Sequence, residues 1–254
     1  MLPSALLLAA LAAPPAHATW SVTAIDPATG EVGIAGATCG PFVWGIAGLA
    51  PGAGVVAAQY DTSPRRRDDV VEALVGGAAA PAALAAGLEG DGAARFRQYA
   101  VWDLDGGFAA HTGAEVEGQA RVRSGDGVSA QGNTLRAGVV DAAFAAAEGA
   151  DGRLEDRLLA GLLAGAEAGG DTRCDAADAA KSAFLYVAGP DDAPGEPRVE
   201  IRAAGKGAPR EVAAALRDGQ MSCAGAGGAG APGPLGLVGA LALALRRGRR
   251  RERR

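Results

Sequence analysis

Apolar and polar residues alternate along several short stretches of the chain, and each such stretch predicts a β-strand. Residues 20–25 alternate with the two-residue period of a half-buried strand. The segment 26–30, which contains Pro and Gly, predicts a turn into a second strand over residues 31–37. The glycine-rich segment 45–54 is predicted as a loop. The remaining predicted strands cover residues 55–60, 98–104, 108–112, 182–187 and 198–202.

Apolar residues at helical spacing predict two adjacent amphipathic helices, over residues 135–148 and 154–168. One face of the second helix carries Leu154, Leu158, Leu159, Leu162 and Leu163. Shorter helices are predicted over residues 68–74, 81–87 and 209–216. Because hairpins come first and paired helices follow, the pattern predicts an α+β domain in which helices pack on antiparallel sheet.

The first 18 residues differ from this pattern and predict a signal peptide. Most residues from Leu2 to Ala13 are Leu or Ala, two prolines follow, and Ala16 and Ala18 form an A-x-A cleavage site for signal peptidase. Cleavage after Ala18 would make Thr19 the first residue of the mature protein. The domain boundaries that follow are a signal peptide over 1–18, a folded domain over 19–220 and a C-terminal tail over 221–254.

A threonine at the amino terminus carries a nucleophile and a base on one residue. Its hydroxyl can attack a carbonyl, and its free α-amine, with a reference pKa of roughly 7.7–8.0, can accept the hydroxyl proton. The alternative is that Thr19 begins the mature chain by chance. Once His17 leaves with the leader, His111 is the one remaining histidine. A site built from several histidines on a metal is therefore excluded, and no cofactor is predicted.

Charge and composition narrow the class of protein. Hydrophobic residues make up 49% of the chain but aromatic residues only 4%, so a core of small side chains needs closely approaching layers. Seven C-terminal arginines, at positions 246, 247, 249–251, 253 and 254, supply much of the basic charge. Without them and Glu252, 17 basic residues face 28 acidic ones, a net charge of −11. Such a body repels phosphates, so nucleic acid is excluded as a partner.

The cysteines fit an exported protein. Cys39 and Cys174 are the two cysteines of the predicted domain, and an oxidising compartment allows them to pair. We therefore predict a Cys39–Cys174 disulfide, with two buried thiols as the alternative. Cys223 lies beyond the domain and is predicted as a processing or lipid-attachment residue.

The C-terminal tail combines Cys223, a Gly/Ala/Pro spacer, a short apolar segment over 235–245 and an arginine cluster. At ~1.5 Å per residue, such a segment spans about 18 Å, which is short for a hydrocarbon core of ~30 Å. The order of features resembles the C-terminal sorting tails of myxobacterial exported proteins. The resemblance implies a sorting protease as a partner, membrane contact before processing, and delivery to the periplasm or outer surface. The alternative is a short anchor that is never cleaved.

Four segments in order resemble the domain of unknown function 1028 family of the N-terminal nucleophile (Ntn) hydrolase superfamily. They are Thr19-Trp20-Ser21-Val22 with the turn over 26–31, residues 110–114, residues 129–133, and residues 168–171 leading to Ser182-Ala183. The resemblance implies a four-layer αββα sandwich of two antiparallel sheets flanked by helices, with the catalytic Thr19 at the start of a strand. Proteasome-type relatives carry a lysine near the nucleophile, and this chain has Thr38-Cys39-Gly40 there instead.

The candidate site residues come from these segments. The Gly132 N–H and the Asn133 amide nitrogen are candidate donors to an oxyanion, with a helix N-cap as the alternative for Asn133. Asp171 could orient the Thr19 amine by its charge, or could serve turn chemistry alone. The resemblance supports a site role for His111, whose alternative is structural. Further candidates are Gln131 and Thr112 for substrate binding, and Ser129 and Thr38 for positioning.

The sequence therefore predicts an exported hydrolase with Thr19 as nucleophile, which acts on an amide or peptide-like bond in a small substrate, such as a cell-wall peptide. The alternative is a non-catalytic surface binding module with the same fold.

Overall fold

The computed structural model describes residues 18–225 of the 254-residue chain, and the side chains of residues 18–219. The predicted leader up to residue 17 and the tail beyond residue 225 lie outside the described residues, and so does the side chain of Cys223. The described part confirms the predicted α+β class, with two antiparallel sheets and five helices. No helix in this part of the chain is long and apolar enough to span a membrane.

The larger sheet has six strands in the order β10-β9-β2-β1-β8-β7. Its strands are β1 (Thr19–Asp26), β2 (Glu31–Thr38), β7 (Arg121–Gly125), β8 (Val128–Asn133), β9 (Ser182–Ala188) and β10 (Val199–Ala204). Thr19 lies in β1, one of the two middle strands, and pairs with Thr38 on one side and Asn133 on the other.

The smaller sheet has four strands in the order β3-β4-β5-β6. They are β3 (Ala47–Ala50), β4 (Gly54–Tyr60), β5 (Arg97–Asp103) and β6 (Phe108–Thr112). The five helices are α1 (Pro64–Val75), α2 (Ala80–Leu88), α3 (Val139–Gly149), α4 (Leu154–Glu167) and α5 (Ala208–Gly225). The closing helix α5 thus runs through the domain boundary predicted at residue 220.

Three apolar clusters show how these elements stack. Trp20 and Val22 of β1 pack against Leu158 and Leu162 of α4 in the first cluster, which also contains residues of α3 and α5. Side chains on the opposite face of the same sheet, such as Ile34 and Phe184, meet Val55 and Trp102 of the smaller sheet. The third cluster joins the outer face of the smaller sheet to α1 and α2, through residues such as Val56, Tyr99, Val70 and Leu84.

Three details differ from the sequence-based expectations. The predicted loop over 45–54 contains strand β3, and the strands β7 and β8 were not predicted. The helix expected from residue 135 begins at Val139, because Thr134 and Gly138 take positive φ values of 53° and 84°. The alternative role of Asn133 as a helix N-cap is therefore wrong, since the N-cap residue is Gly138.

Glycines in α4 allow the helix to lie close to the larger sheet. A Cβ added at Gly165 would lie 2.5 Å from the Trp20 indole nitrogen, which donates a hydrogen bond to the Leu162 carbonyl at 3.3 Å. Helix α4 and strand β1 can approach this closely because Gly165 has no side chain.

We predict that Gly165→Ala lowers the free energy of unfolding by up to about 2 kcal/mol, because overpacking, at about 1–3 kcal/mol, outweighs the gain in helix propensity of about 1 kcal/mol. Urea denaturation measures the change. Gly149→Ala, at a helical glycine with no atom within 4 Å of the added Cβ, is the matched control and should be neutral or stabilising. Equal stability of the two variants would contradict this account of α4 packing.

Candidate functional site

A small pocket opens where strands β1 and β2 face the end of β4. It has a volume of about 180 Å³, and Thr19, Thr38 and Arg173 lie in its lining. Thr19 is 6% exposed. The proposed nucleophile lies in the lining of this pocket, and larger surface grooves lie elsewhere in the described structure.

Two donors converge on the carbonyl oxygen of the residue that precedes Thr19. The Thr38 hydroxyl donates to the Ala18 oxygen, and Arg173 Nη2 donates to the same oxygen at 2.9 Å. Arg173 Nη2 also donates to Thr38 Oγ1 at 2.9 Å. A hydroxyl and a guanidinium are therefore already aimed at a carbonyl oxygen next to the Thr19 backbone nitrogen.

A buried carboxylate holds Arg173 in this position. Asp171 is 0% exposed and forms an ion pair with Arg173, with Oδ2 2.6 Å from Nη2 and Oδ1 3.0 Å from Nε. The Cys39 N–H donates to Asp171 Oδ2 at 2.7 Å, which links the carboxylate to the end of β2. Charge-assisted, bidentate contacts of this kind keep an arginine in one orientation.

A disulfide closes the same cluster. Cys39 and Cys174 are joined, with their Cα atoms 5.9 Å apart, so the predicted pairing is confirmed. Cys39 directly follows Thr38 and Cys174 directly follows Arg173. The bond therefore ties together the two short segments that hold the donors to the Ala18 oxygen.

Between the sheets, three amide side chains form a hydrogen-bonded row next to Thr19. Gln59 Nε2 donates to the Thr19 carbonyl oxygen at 3.2 Å and to Gln98 Oε1 at 2.9 Å. Gln98 Nε2 donates to the Gly132 carbonyl oxygen at 3.1 Å, and Asn133 Nδ2 donates to Gln98 Oε1 at 2.9 Å. The row connects β4 and β5 of the smaller sheet to β1 and β8 of the larger one.

This row fixes which end of each amide is the nitrogen. A backbone carbonyl can only accept, so the Gln59 atom facing Thr19 and the Gln98 atom facing Gly132 must both be nitrogens. The Gln98 oxygen then faces Asn133, so the Asn133 atom that donates to it must be the amide nitrogen. Asn133 Oδ1 remains buried without a hydrogen-bond partner among the described residues. The nitrogen of Asn133 is thus engaged within the row, and its oxygen is the unpaired atom.

The other predicted residues lie at various distances from this cluster. Gln131 donates to the Ala57 carbonyl at 3.1 Å, and Ser129 lies 2.7 Å from the Thr23 hydroxyl, both in the interface between the sheets. Thr112 accepts from Gln98 Nε2 at 3.4 Å. His111 lies on the face of β6 opposite to that of Thr112, and its Nε2 is 2.9 Å from the Ala94 carbonyl oxygen. The structure therefore does not bring His111 to Thr19.

The backbone of Tyr60, at the end of β4, is strained. Its φ is +75°, which is unusual for a bulky residue, and such strain is found more often at functional sites than elsewhere. Burial raises the pKa of its phenol, an effect that a backbone hydrogen bond from Glu117 partly offsets. Tyr60 therefore contributes a neutral side chain to the pocket lining.

Sequence reasoning missed Arg173, Gln59, Gln98 and Tyr60. Gln59 and Gln98 carried a usable signal, since each is an uncharged amide inside a predicted strand of mostly small or apolar residues. Arg173 lies in the irregular segment that follows α4, where an arginine carries no such signal. Among the described residues there is no cluster of three or more His, Cys, Asp or Glu side chains that could hold a metal.

Comparison with known proteins identifies related chains. The model of a family described as "Family of unknown function (DUF1028)" matches residues 19–212. A crystal structure of a protein from Silicibacter pomeroyi, also described as DUF1028, is similar to this chain at 29% sequence identity and a TM-score of 0.69. The similarity covers 80% of this chain and 86% of that one. No curated protein matches the chain.

We predict that replacing both Cys39 and Cys174 by Ser lowers the free energy of unfolding by about 2–5 kcal/mol, because the disulfide closes a long loop in the unfolded chain. Guanidinium denaturation of the non-reduced proteins measures the loss. Cys223→Ser leaves the bonded pair intact and serves as the control. If the double variant is as stable as the control, the disulfide does not stabilise this cluster.

Proposed function

The chain belongs to the DUF1028 family, whose function is unknown, and we propose from its own residues that it is an exported hydrolase with Thr19 as its N-terminal nucleophile. The proposed reaction is the hydrolysis of an amide or peptide-like bond. The observation that carries the proposal is that Thr19 lines a pocket beside two donors aimed at a neighbouring carbonyl oxygen. The family match begins at the same residue that trimming after Ala18 would expose.

The arrangement of layers supports the same proposal. We infer that the two sheets and their outer helices form the four-layer αββα sandwich of Ntn hydrolases, because an apolar cluster separates the sheets and another lies under the helices on each side. In that architecture the nucleophile stands at the start of a central strand, where Thr19 begins β1.

Arg173 supplies a positive charge near Thr19, in place of the lysine that proteasome-type relatives carry near the second strand. Once Ala18 is removed, the new α-amine of Thr19 lies close to the space that the Ala18 carbonyl occupies, next to the guanidinium. A nearby positive charge disfavours the protonated amine and so lowers its pKa. A larger fraction of the amine is then neutral near pH 7 and can accept the hydroxyl proton.

The reaction then has two steps. The Thr19 hydroxyl gives its proton to the α-amine while its oxygen attacks the substrate carbonyl carbon, and negative charge develops on the carbonyl oxygen. The protonated amine next delivers that proton to the leaving nitrogen, which leaves an ester on Thr19. Water, deprotonated by the same amine, attacks the ester and releases a carboxylic acid and the original hydroxyl.

We assign the stabilisation of the developing oxyanion to Arg173 and Thr38. These groups donate to a carbonyl oxygen in the uncut chain, so a substrate carbonyl bound in the vacated space meets preorganised donors. We prefer them to the predicted donors Gly132 and Asn133, because Asn133 donates to Gln98 and Gly132 lies within β8 between Trp20 of β1 and Arg121 of β7, where a backbone N–H lies in the plane of the sheet. We reassign Asn133, which lies directly across from Thr19, from an oxyanion donor to a positioning residue.

Export, processing and location remain part of the proposal. A disulfide agrees with an oxidising compartment, and the predicted leader and sorting tail would direct the protein to the periplasm or the outer surface. Signal peptidase and a sorting protease would be its processing partners. A cell-wall peptide is one substrate that such a location makes accessible.

We predict that the mature protein starts at Thr19, as read by intact-mass analysis, and that a peptide epoxyketone modifies it once. Such a reagent closes a ring with a hydroxyl and a free amine on the same residue. Thr19→Ala should abolish the modification and Thr19→Ser should retain it, because serine keeps both groups. A mature chain that starts elsewhere, or equal modification of Thr19→Ala, would contradict the hydrolase and favour the binding module.

We predict that Arg173→Met moves the rising limb of the pH profile of epoxyketone modification upwards by about one pH unit. Removal of the cation leaves Asp171 uncompensated, and both changes raise the amine pKa, so the reactive neutral form appears only at higher pH. Arg173→Lys keeps the charge and is the matched control, with a midpoint near that of the wild type. An unchanged profile in a folded Arg173→Met protein would show that Arg173 does not act on the amine.

A further inference from the structure

The loop between β2 and β3 builds an apolar wall on one side of the Thr19 pocket. Pro41, Phe42, Val43 and Ile46 all line the pocket. Val43 and Ile46 are 1% and 5% exposed and belong to the apolar cluster between the sheets, so the core supports the wall from behind. A wall supported in this way keeps its shape when a ligand enters.

Phe42 stands at the open side of this wall. Its side chain is 73% exposed, although it lies beside the Trp44 ring, with the ring centroids 5.4 Å apart in an edge-on arrangement. One isolated exposed aromatic residue needs no explanation, but this one lines the opening that also contains the Thr19 side chain. An apolar group that enters the pocket would cover the Phe42 ring and remove apolar surface from water.

The charges around the pocket favour neither a carboxylate nor an ammonium group. Of the described residues that line it, Arg173 alone carries a formal charge, and its guanidinium is already paired with the buried carboxylate of Asp171 at 2.6 Å. The remaining polar lining consists of hydroxyl groups, from Thr19, Thr38, Tyr60 and Thr62. A cationic side chain placed here would face the Arg173 guanidinium, and an anionic one would have to compete with Asp171 for it, so neither would recover the water that it loses.

The size of the pocket sets a limit on its occupant. Its volume is about 180 Å³. A protein cavity of about 150 Å³ is large enough for one benzene ring. The pocket therefore fits one aromatic or branched aliphatic side chain, and two such groups in succession would not fit.

We infer that this pocket binds the acyl side of the substrate through one uncharged apolar side chain, aromatic or branched aliphatic, next to the bond that is cleaved, and that Phe42 determines this preference. The inference rests on the proposed function, because the acyl side is defined by the attack of Thr19. Peptides with an acidic or basic residue at that position would be poor substrates.

The first test compares tripeptide epoxyketones that differ only in the side chain next to the reactive group. With the protein that starts at Thr19, we expect the leucine and phenylalanine reagents to modify Thr19 at least about tenfold faster than the alanine, aspartate and lysine reagents. Phe42→Ala should reduce the rates of the first two about tenfold and change the alanine rate less than twofold. Val75→Ala, at another large apolar residue that is well exposed, is the control and should change none. Equal or faster reaction of a charged reagent would overturn the inference.

A second test does not depend on reactivity. In Thr19→Ala, NMR titration should show N-acetylphenylalaninamide binding at least tenfold more tightly than N-acetylaspartamide or N-acetyllysinamide, and Phe42→Ala should remove the difference. If this preference holds while no epoxyketone modifies the wild type, the pocket assignment stands and the hydrolase proposal fails. If the charged amides bind equally well, or none of the three binds, the pocket assignment fails.

Discussion

Polar side chains buried between two sheets are stable only when their hydrogen bonds are made, and this requirement determines where Thr19 lies. Gln59 and Gln98 are 1% and 0% exposed, and each uses its amide nitrogen on a backbone carbonyl of the opposite sheet. An unmade hydrogen bond at such a site costs about 1–3 kcal/mol. The row therefore holds the two sheets in one register and holds the carbonyl of Thr19 directly. The first residue of β1 is positioned by the core of the domain rather than by a surface loop.

The same residue is constrained from its other side by a second, charged cluster. Asp171, Arg173 and the end of β2 are joined by an ion pair, a backbone hydrogen bond and a disulfide. Salt bridges near a surface contribute little by themselves, but a fully buried carboxylate needs its partner, because an uncompensated buried charge is strongly destabilising. This cluster therefore combines a covalent bond, the disulfide, with an ion pair that the buried carboxylate needs. Both hold segments that lie next to Thr19.

Much of the fold was predictable because most strands and helices carry the expected apolar period. The register of β1 against β2 follows from a clear hairpin, and the leucines of α4 identify its buried face. Strand β8 was missed because Ser129, Gln131 and Asn133 point into the interface between the sheets, where apolar residues are normally expected. Strand β3 was missed because glycine and alanine dominate it. In both cases the strand is stabilised by pairing with another strand of its sheet, which a local sequence pattern does not reveal.

The residues of the site were predictable in part, but their geometry was not. Thr19, Thr38, Asp171 and the cysteine pair could be named from chemistry and resemblance, while their geometry depended on contacts across long stretches of chain. Arg173 donates to the hydroxyl of Thr38, which is 135 residues away along the chain. No local sequence pattern predicts that contact. The direction of the Asn133 amide likewise follows only from its neighbours in space, since a sequence does not say which end of an amide is engaged.

The burial of Ala18 has a consequence for the timing of maturation. Ala18 is 0% exposed and Thr19 is 6% exposed, with the carbonyl between them held from two sides. A separate peptidase needs an extended segment in its own active site, which a bond buried in this way cannot provide. If another enzyme cuts the chain there, it does so while the polypeptide is still unfolded, and the domain then closes around an end that already exists.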